Sequence, residues 1–275
     1  MTDKYAVIGN PIGHSKSPII HKAFAKQSGE DISYEAILAP LDGFESTVRT
    51  LIAQGFKGAN VTVPFKLEAL QLVNIPSERA HDAGAVNTLR FLENEIRGDN
   101  TDGVGLVRDI QQSLGVVIAG KRVLLLGAGG AAQGVLYPLL DELPAQLVIA
   151  NRTLDKAQSM IKKVLSKIKD SGAFALSATA FEDMADAQFD IVINATSTGL
   201  TDTALPIPSS VFATGCLAYD MMYGRETPFM KQAREAGAQV ADGLGMLVEQ
   251  AAEAFYLWRG VRPLTQPVIQ LLRNA

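Results

Sequence analysis

The sequence predicts two α/β domains, the second of them a Rossmann-type doubly wound parallel sheet. Strand and helix patterns alternate along the first hundred residues, and five apolar strand candidates separated by helical segments follow between residues 123 and 220. A glycine-rich segment stands directly after the first of those five strands. This alternation is typical of parallel sheets covered by helices. We place the first domain at 1–102, completed by C-terminal helices at 239–275, and the second domain at 103–238.

The first domain opens with a short apolar strand at Tyr5–Ile8 and a helix that starts at Ser17–Pro18. Serine is a favoured N-cap and proline is favoured at the first helical position, so Ser17 is expected to cap this helix. Further elements are predicted in order as a strand at 34–38, a helix at 44–53, a strand at 59–63 closed by Pro64, and a hairpin that turns at Glu93–Asn94.

The second domain starts after Asp102-Gly103, and a helical pattern at 104–114 is expected to join the two domains. The five strand candidates are Val123–Leu126, Leu147–Ala150, Ala173–Leu176, Ile191–Asn194 and Leu217–Asp220. Ligands of such sheets bind outside the carboxyl ends of the strands. We therefore expect a site there, in a cleft between the two domains.

Composition and charge exclude several classes of function. Hydrophobic residues make up 47% and charged residues 20% of the 275 residues, as in a soluble globular protein, and the formal net charge is −4. A negative chain has no electrostatic attraction to nucleic acid or to an anionic membrane. The longest apolar stretch, 123–140, is interrupted by four glycines and Pro138, so no membrane span is expected. Cys216 is the only cysteine, which fits a reducing, cytoplasmic compartment; the oligomeric state stays open, with a homodimer as one option.

The glycine-rich segment has the form of a dinucleotide site. The residues Gly127, Ala128, Gly129, Gly130, Ala131 and Ala132 match the pattern G-x-G-x-x-A after a strand and at a helix start. The first glycine allows a tight turn, the second lets backbone N–H groups approach a pyrophosphate, and the small last residue permits close helix–strand packing. A glycine-rich turn without a ligand is the alternative, and the strand before the segment argues against it.

The end of the next strand indicates which cofactor is bound. An NAD site usually has an acidic residue there, which bonds the ribose 2′-hydroxyl. This chain has Asn151, Arg152 and Thr153, with Lys156 close behind. Two cations and a hydroxyl suit a 2′-phosphate, so NADP is the expected cofactor. The alternative is a solvated helix start with Thr153 as its N-cap.

Several polar segments resemble those of the shikimate dehydrogenase family, and the resemblance covers nearly the whole chain. In the first domain they are Gly9–Pro18, Asn60–Lys66, Gly84–Thr88 and Gly98–Gly103, and in the second they include Asn194–Ser197, Tyr219–Tyr223 and Asp242–Met246. The resemblance implies an NADP-dependent enzyme of aromatic amino acid and chorismate biosynthesis. Its reaction would be the reversible reduction of 3-dehydroshikimate to shikimate.

The resemblance also implies roles for individual residues. Lys66 and Asp102 would lie at the reacting hydroxyl, and substrate would be held by Ser15, Ser17, Thr62, Asn87, Tyr223 and Gln250. The pyrophosphate would lie on Gly127, Ala128, Gly129, Gly130 and Ala131, and the 2′-phosphate beside Asn151, Arg152, Thr153 and Lys156. The nicotinamide side would be lined by Thr196, Met221, Gly243 and Met246. The first domain would then bind the substrate and the second NADP.

The chemistry agrees with these roles. Oxidation of a secondary alcohol removes a hydride, which the cofactor takes, and a proton, which a protein group must take. Lys66 and Asp102 can share that proton, and it cannot be assigned to one of them. The three histidines are not required, and no Cys/His cluster indicates a metal. Taken singly, Lys66 could be a surface lysine, Asp102 a helix cap, and Met221 and Met246 core residues.

Two alternatives remain at this stage. One is a quinate/shikimate dehydrogenase with the same chemistry and broader substrate use, against which Arg152 argues mildly. The other is a non-catalytic NADP-sensing protein. Such a protein could keep the glycine segment, but it would have no reason to keep Lys66, Asp102 and the two serines.

Overall fold

The structure, a computed structural model, describes residues 2–167, 175–184, 187–198 and 203–274. The chain divides into two compact units. Unit 1 contains Met1–Gly105 and Leu247–Ala275, and unit 2 contains Leu106–Met246. Two α/β domains are therefore confirmed, although their boundaries lie at 105/106 and 246/247 instead of the predicted 102/103 and 238/239.

Unit 1 contains a mixed sheet with the strand order β2-β1-β3-β5-β6-β4. Its strands are β1 (Asp3–Gly9), β2 (Ile32–Leu38), β3 (Phe56–Val61), β4 (Ile75–Pro76), β5 (Thr88–Phe91) and β6 (Ile96–Asp99). The helices wholly inside it are α1 (Ser17–Ser28), α2 (Phe44–Ala53), α3 (Lys66–Leu72), α4 (Glu78–Ala83) and α10 (Gln266–Arg273). Strands β1, β2 and β3 are parallel, and β5 runs antiparallel to both β3 and β6.

Most predicted elements of unit 1 are present, with two local corrections. The helix at 44–53 and the hairpin around Glu93–Asn94 are confirmed. Ser17 does not cap α1: Lys16 stands at the N-cap position, and Ser17 is already helical. The third strand ends at Val61, two residues early, because the backbone turns there and Phe65 N–H bonds to the Thr62 carbonyl.

Unit 2 is an all-parallel, six-stranded sheet with the order β12-β11-β10-β7-β8-β9, which confirms the doubly wound prediction. Its strands are β7 (Arg122–Leu126), β8 (Gln146–Ala150), β9 (Ala175–Thr179), β10 (Phe189–Asn194), β11 (Phe212–Asp220) and β12 (Gln239–Asp242). Its helices are α6 (Gly130–Asp141), α7 (Leu154–Lys167) and α8 (Pro228–Glu235). The chain crosses between the units inside α5 (Asp102–Arg108) and α9 (Leu244–Arg259).

The strands of unit 2 are apolar throughout because both faces of the sheet are buried. Leu125 and Ile193 belong to one buried cluster, whereas their neighbours Leu124 and Val192 belong to another on the opposite face. Successive side chains of a strand point to opposite faces, so a sheet covered on both sides needs continuous apolar runs.

Three predictions in this region need correction. The C-terminal helices do not begin at 239: Gln239–Asp242 pair in parallel with β11 as its edge strand, and helix starts at Leu244. The joining helix is α-helical only to Arg108, and Asp109–Ser113 form a π-helix. The strand predicted at 173–176 is observed at Ala175–Thr179. The predicted positions 173 and 174 lie outside the described residues.

A search of the described residues finds no helix long and apolar enough to cross a membrane. Within the same residues, no group of three or more His, Cys, Asp or Glu side chains is arranged to hold a metal ion.

Candidate active site

The centre of the candidate site in unit 1 is an ion pair between Lys66 and Asp102. Lys66 Nζ donates to Asp102 Oδ2 at 2.6 Å, and both side chains keep partial access to solvent, 30% and 21% exposed. Lys66 is the first residue of α3, and Asp102 is the first residue of α5. The fold thus brings together two residues that are 36 positions apart in sequence. Because both side chains are partly exposed, a ligand can still reach the ammonium group and the carboxylate.

The second oxygen of the Asp102 carboxylate is also held. Asn87 Nδ2 donates to Asp102 Oδ1 at 2.8 Å, and the Asp102 backbone N–H donates to Asn100 Oδ1 at 3.1 Å. Asn87 itself is 2% exposed and lies just before β5. The carboxylate therefore has a fixed orientation, with one oxygen on the lysine and the other on an amide.

The remaining substrate candidates of unit 1 lie at the ends of elements. Ser15 Oγ accepts a hydrogen bond from the Ser17 backbone N–H at 3.3 Å, so the two serines are adjacent at the start of α1. Thr62 follows β3, with its backbone N–H on the Ile8 carbonyl. Gln250 Oε1 accepts from Thr101 Oγ1 at 3.3 Å, which links α9 to the loop before Asp102. Tyr223 belongs to unit 2, where burial raises the pKa of its hydroxyl.

Sequence reasoning missed three buried polar residues beside this site, namely Asn60, Thr88 and Thr101. Asn60 is 7% exposed, Thr88 is 2% exposed, and Thr101 is fully buried. Each of the three forms at least one hydrogen bond with Asn87. For Asn60 and Thr88 the available signal was a polar side chain beside apolar residues of a strand, since a buried polar group needs a hydrogen-bond partner.

In unit 2 the register of the strands brings the cofactor candidates to one edge of the sheet. Leu126 pairs with both Ala150 and Asn194, Asn194 pairs with Asp220, and Asp220 pairs with Asp242. Five strands therefore end at one level. The candidate residues that follow these ends are Gly127, Asn151, Thr196, Met221 and Gly243.

The glycine segment forms a cradle without side chains. Gly127 has φ +106°, and a Cβ there would meet the Ala195 carbonyl at 3.2 Å, so the turn needs glycine. A Cβ on Gly129 or Gly130 would meet nothing within 4 Å. Gly129 is the N-cap of α6 without a side-chain cap bond, and Ala131 beside it is exposed. Open space before uncapped helix N–H groups fits a pyrophosphate.

The segment after β8 carries exposed cations. Asn151 Nδ2 donates to the Thr153 carbonyl at 2.8 Å and closes a tight turn, and Arg152 and Lys156 are exposed around it. Among the described residues, neither cation forms an ion pair within the distance of a salt bridge. Free cations with no acidic residue in the turn fit a 2′-phosphate.

The nicotinamide candidates are held by backbone contacts and one buried carboxylate. Met221 N–H bonds to the Asn194 carbonyl, and a Cβ on Gly243 would lie 2.3 Å from the Met221 oxygen. Thr196 bonds to Asn194 Oδ1 through both its N–H and its hydroxyl. Asp220, fully buried, accepts from Asn194 Nδ2 at 3.1 Å and from the Met222 N–H. Burial raises the pKa of that carboxyl.

Sequence reasoning also missed a buried pair that supports Met246. Tyr219 hydroxyl donates to Asp109 Oδ2 at 2.6 Å and accepts from the Met246 N–H at 3.3 Å. Gly245 lies against the same carboxylate, since a Cβ there would be 1.9 Å from Asp109 Oδ1. The start of α9 is thus fixed to the end of the helix that begins at Asp102.

Comparison with known families finds three matching sequence profiles. The shikimate dehydrogenase substrate binding domain matches residues 7–89, and shikimate / quinate 5-dehydrogenase matches residues 109–201. The shikimate 5′-dehydrogenase C-terminal domain matches residues 243–273. The first match lies in the unit with Lys66, and the second contains the glycine segment.

Individual relatives match over the whole chain. The shikimate dehydrogenase (NADP(+)) of Methylobacillus flagellatus is 61% identical over 99% of this chain and 100% of its own. Among solved structures, the Ael1 enzyme from Pseudomonas putida is 48% identical with a TM-score of 0.93, and 98% of each chain is covered. The shikimate 5-dehydrogenase of Thermus thermophilus, in complex with NADP(H) and shikimate, is 30% identical with a TM-score of 0.87 over 99% of each chain. This chain therefore belongs to the shikimate dehydrogenase family.

Proposed function

We propose that this chain catalyses the reversible NADP-dependent oxidation of shikimate to 3-dehydroshikimate. The observation that carries the proposal is the Lys66–Asp102 pair, at 2.6 Å, in a unit that matches the family's substrate-binding domain. A protein that only sensed NADP would need no such pair, because cofactor binding requires only the residues of unit 2.

Lys66 and Asp102 manage the proton of the reacting hydroxyl. In the oxidation the pair accepts that proton, and in the reduction it returns a proton to the carbonyl oxygen. The ammonium group of Lys66 also stabilises negative charge that develops on the oxygen. NADP, when bound, accepts or supplies the hydride. Asn87 fixes the carboxylate, so the lysine keeps one position during the proton transfer.

Unit 2 holds the cofactor in two places. The pyrophosphate lies on the backbone N–H groups of Gly127, Ala128, Gly129, Gly130 and Ala131, where a Cβ at 129 or 130 would enter open space. Asn151, Arg152, Thr153 and Lys156 surround the 2′-phosphate and select NADP over NAD, because an added phosphate is held by two cations. Lys156 contributes a positive charge, but its ammonium group cannot form the pair of parallel hydrogen bonds that an arginine would make to a phosphate.

The substrate carboxylate is held by hydroxyl groups. Ser15 and Ser17 lie together at the start of α1, and no arginine occurs between residues 1 and 48. Thr62, Asn87, Gln250 and Tyr223 contribute further polar groups to the carboxylate and ring hydroxyls. Thr196, Met221, Gly243 and Met246 line the nicotinamide side.

The test is NADP+ reduction, followed by absorbance, with shikimate and quinate measured side by side. We expect turnover with shikimate and NADP+, and much lower kcat/KM with quinate or with NAD+. Comparable kcat/KM for quinate would replace the proposal with a dehydrogenase of broader specificity. Binding of NADP without turnover of either acid would identify a cofactor-sensing protein.

The proposed setting of the enzyme is the reducing cytoplasm. The proposed oligomeric state is either a monomer or a homodimer. Cys216 is fully buried, and burial raises the pKa of its thiol to about 12, so it is shielded from oxidation. Light scattering on the purified enzyme measures the oligomeric state directly, and a monomer at micromolar concentration would exclude a stable homodimer.

A further inference from the structure

A chain of buried and partly buried hydrogen bonds runs behind the Lys66–Asp102 pair, all within unit 1. The Tyr34 hydroxyl donates to Asn60 Oδ1 at 2.8 Å, and Asn60 Nδ2 donates to Thr88 Oγ1 at 3.1 Å. Thr88 Oγ1 donates to Asn87 Oδ1 at 2.9 Å, and Asn87 Nδ2 donates to Asp102 Oδ1 at 2.8 Å. We call these five residues the Tyr34–Asp102 chain.

Every bond of the Tyr34–Asp102 chain points toward the carboxylate. Burial holds the pKa of Tyr34 well above its ordinary value, so its hydroxyl stays a donor. An amide nitrogen can only donate, so Thr88 must accept from Asn60 and direct its single proton to Asn87. Bonds aligned in one direction polarise one another, and here they end on a negative charge.

Thr88 is held in place by the sheet. It pairs with Asn60 across the β3–β5 ladder and with Asp99 across the β5–β6 ladder. Its hydroxyl is the link between the Asn60 and Asn87 side chains, and it is 2% exposed. The Thr88 hydroxyl bonds to Asn87, and Asn87 bonds to Asp102, so the hydrogen-bonded route from Thr88 to the ion pair passes through Asn87.

The Asn87 amide needs the partners that Thr88 and Thr101 provide. Its oxygen accepts from Thr88 Oγ1 and from the Thr101 N–H at 3.0 Å, and its nitrogen donates to Asp102 and lies 3.1 Å from Thr101 Oγ1. A rotated amide would place its oxygen against the carboxylate and its nitrogen against the Thr101 N–H. Loss of the Thr88 hydroxyl removes one of the contacts that prevent this rotation.

We propose that Thr88 is a positioning residue for the reaction, which acts through Asn87 to fix the Asp102 carboxylate that orients Lys66. This inference rests on the proposed function, because it assigns Asp102 and Lys66 to the proton transfer. It adds a residue that contacts neither substrate nor cofactor.

The test uses Thr88→Val, which keeps the shape of the side chain and removes its hydroxyl, in the full-length enzyme. We expect kcat for shikimate oxidation to fall about three- to ten-fold, as for the loss of one buried neutral hydrogen bond. Thr88→Ser keeps the hydroxyl and should recover most of that loss. Thr179→Val, which removes a strand hydroxyl that donates to the Ala180 carbonyl in unit 2, serves as the matched control.

A double-mutant cycle separates positioning from general destabilisation. If Thr88 acts through Asn87, then Thr88→Val should lower kcat no further in an Asn87→Ala background, although the loss of thermal stability should persist. Equal losses of kcat in the two backgrounds, or an unchanged kcat in Thr88→Val, would overturn the proposal.

A spectroscopic readout keeps this test independent of turnover. The side-chain amide protons of Asn87 should shift in the NMR spectrum of Thr88→Val and not in that of Thr179→Val. Absence of that shift would overturn the role of Thr88 whether or not the parent enzyme oxidises shikimate. An inactive parent with the expected shift would instead reject the proposed function and leave the hydrogen-bond chain in place.

Discussion

The two units build their sites from different parts of the polypeptide. In unit 1 the candidate groups are side chains, and the Lys66–Asp102 pair is fixed by the amide of Asn87. In unit 2 the candidate phosphate site consists of backbone N–H groups around Gly129 and Gly130, with no side-chain cap. A side-chain site fails when one polar group is removed, whereas a backbone site fails when an atom is added. The following predictions test that contrast, from the largest expected effect to the smallest.

The strongest test of the side-chain site is Lys66→Ala. It removes one member of the pair that accepts the proton, and with it the positive charge beside the developing negative charge, so kcat should fall at least about 100-fold with little change in shikimate KM or NADP binding. Lys66→Arg should not restore it, because guanidinium does not release its proton at working pH. Steady-state kinetics measure kcat and KM, and circular dichroism checks that the variants are folded. A kcat within a few-fold of the parent would remove Lys66 from the chemical step.

Unit 2 has one region that depends on side chains, the turn at Arg152. Arg152→Asp removes a phosphate partner and adds repulsion, so NADP affinity should fall by at least about 1.5–3 kcal/mol, as for one charged hydrogen bond. NAD affinity should stay the same or improve. Lys163→Asp changes the net charge equally on the exposed side of α7 and is the control. Equal Kd values for NADP in the Arg152→Asp variant and the parent would contradict the selectivity we assign.

The backbone cradle should respond to an added side chain. Gly129→Val places a Cβ in space that no protein atom occupies within 4 Å, so the fold should tolerate it. The cost in unfolding free energy should stay near about 1 kcal/mol, the range of a poorer N-cap. NADP Kd should rise at least about ten-fold, which is about 1.4 kcal/mol. Calorimetric titration gives the Kd, and unaltered affinity would show that the cofactor does not approach this glycine.

Within the substrate anchor, Ser15→Ala should raise the shikimate KM about ten-fold, with a smaller effect on kcat. A hydrogen bond to a charged group contributes roughly 1.5–3 kcal/mol, and neutral hydroxyls must carry the recognition here. The same kinetics with Ser28→Ala, at the other end of α1, provide the control. If both kinetic constants of Ser15→Ala equal those of the parent, Ser15 does not bind the substrate.

The smallest effect on ligand binding and turnover is expected from the aromatic support behind the side-chain site, whose contribution is to stability. His21 is fully buried, and its ring stacks on the ring of Tyr34 with 4.2 Å between the ring centroids. Burial lowers the pKa of the His21 imidazole to about 3. Unfolded chains take up this proton near pH 6.5, so the unfolded state binds more protons between about pH 6.5 and 3. Stability should therefore fall with decreasing pH across that window, by about 1.4 kcal/mol per pH unit from this group.

His21→Phe should remove that contribution. Urea unfolding at pH 7, 6, 5 and 4 should give a flatter dependence of the unfolding free energy on pH than in the parent, whereas the exposed His81→Gln should behave like the parent. Parallel curves for His21→Phe and the parent would mean that His21 does not control the acid sensitivity.

Local sequence patterns predicted most of the fold. Five of the six strands of unit 2 were evident because burial on both faces requires continuous apolar runs. The glycine turn before α6 was evident because the tight turn after β7 requires glycine at Gly127, where φ is +106°. The errors occurred where local patterns were ambiguous. Gln239–Asp242 is a four-residue strand whose identity depends on pairing with β11. Lys16, and not Ser17, stands at the N-cap position of α1, and its backbone is already in the helical region.

The sequence by itself determined most of the order of the elements, the place of the glycine turn, the positions of the candidate cations and the family whose motifs it carries. Only the tertiary structure decided which polar residues act together. Lys66 and Asp102 are 36 residues apart, and Tyr34 is further still from the carboxylate to which its hydrogen bonds lead. Such contacts depend on strand register and helix packing, which arise from burial of the whole core and not from any local pattern. The Tyr34–Asp102 chain could therefore not be read from the sequence, although each of its members was visible there.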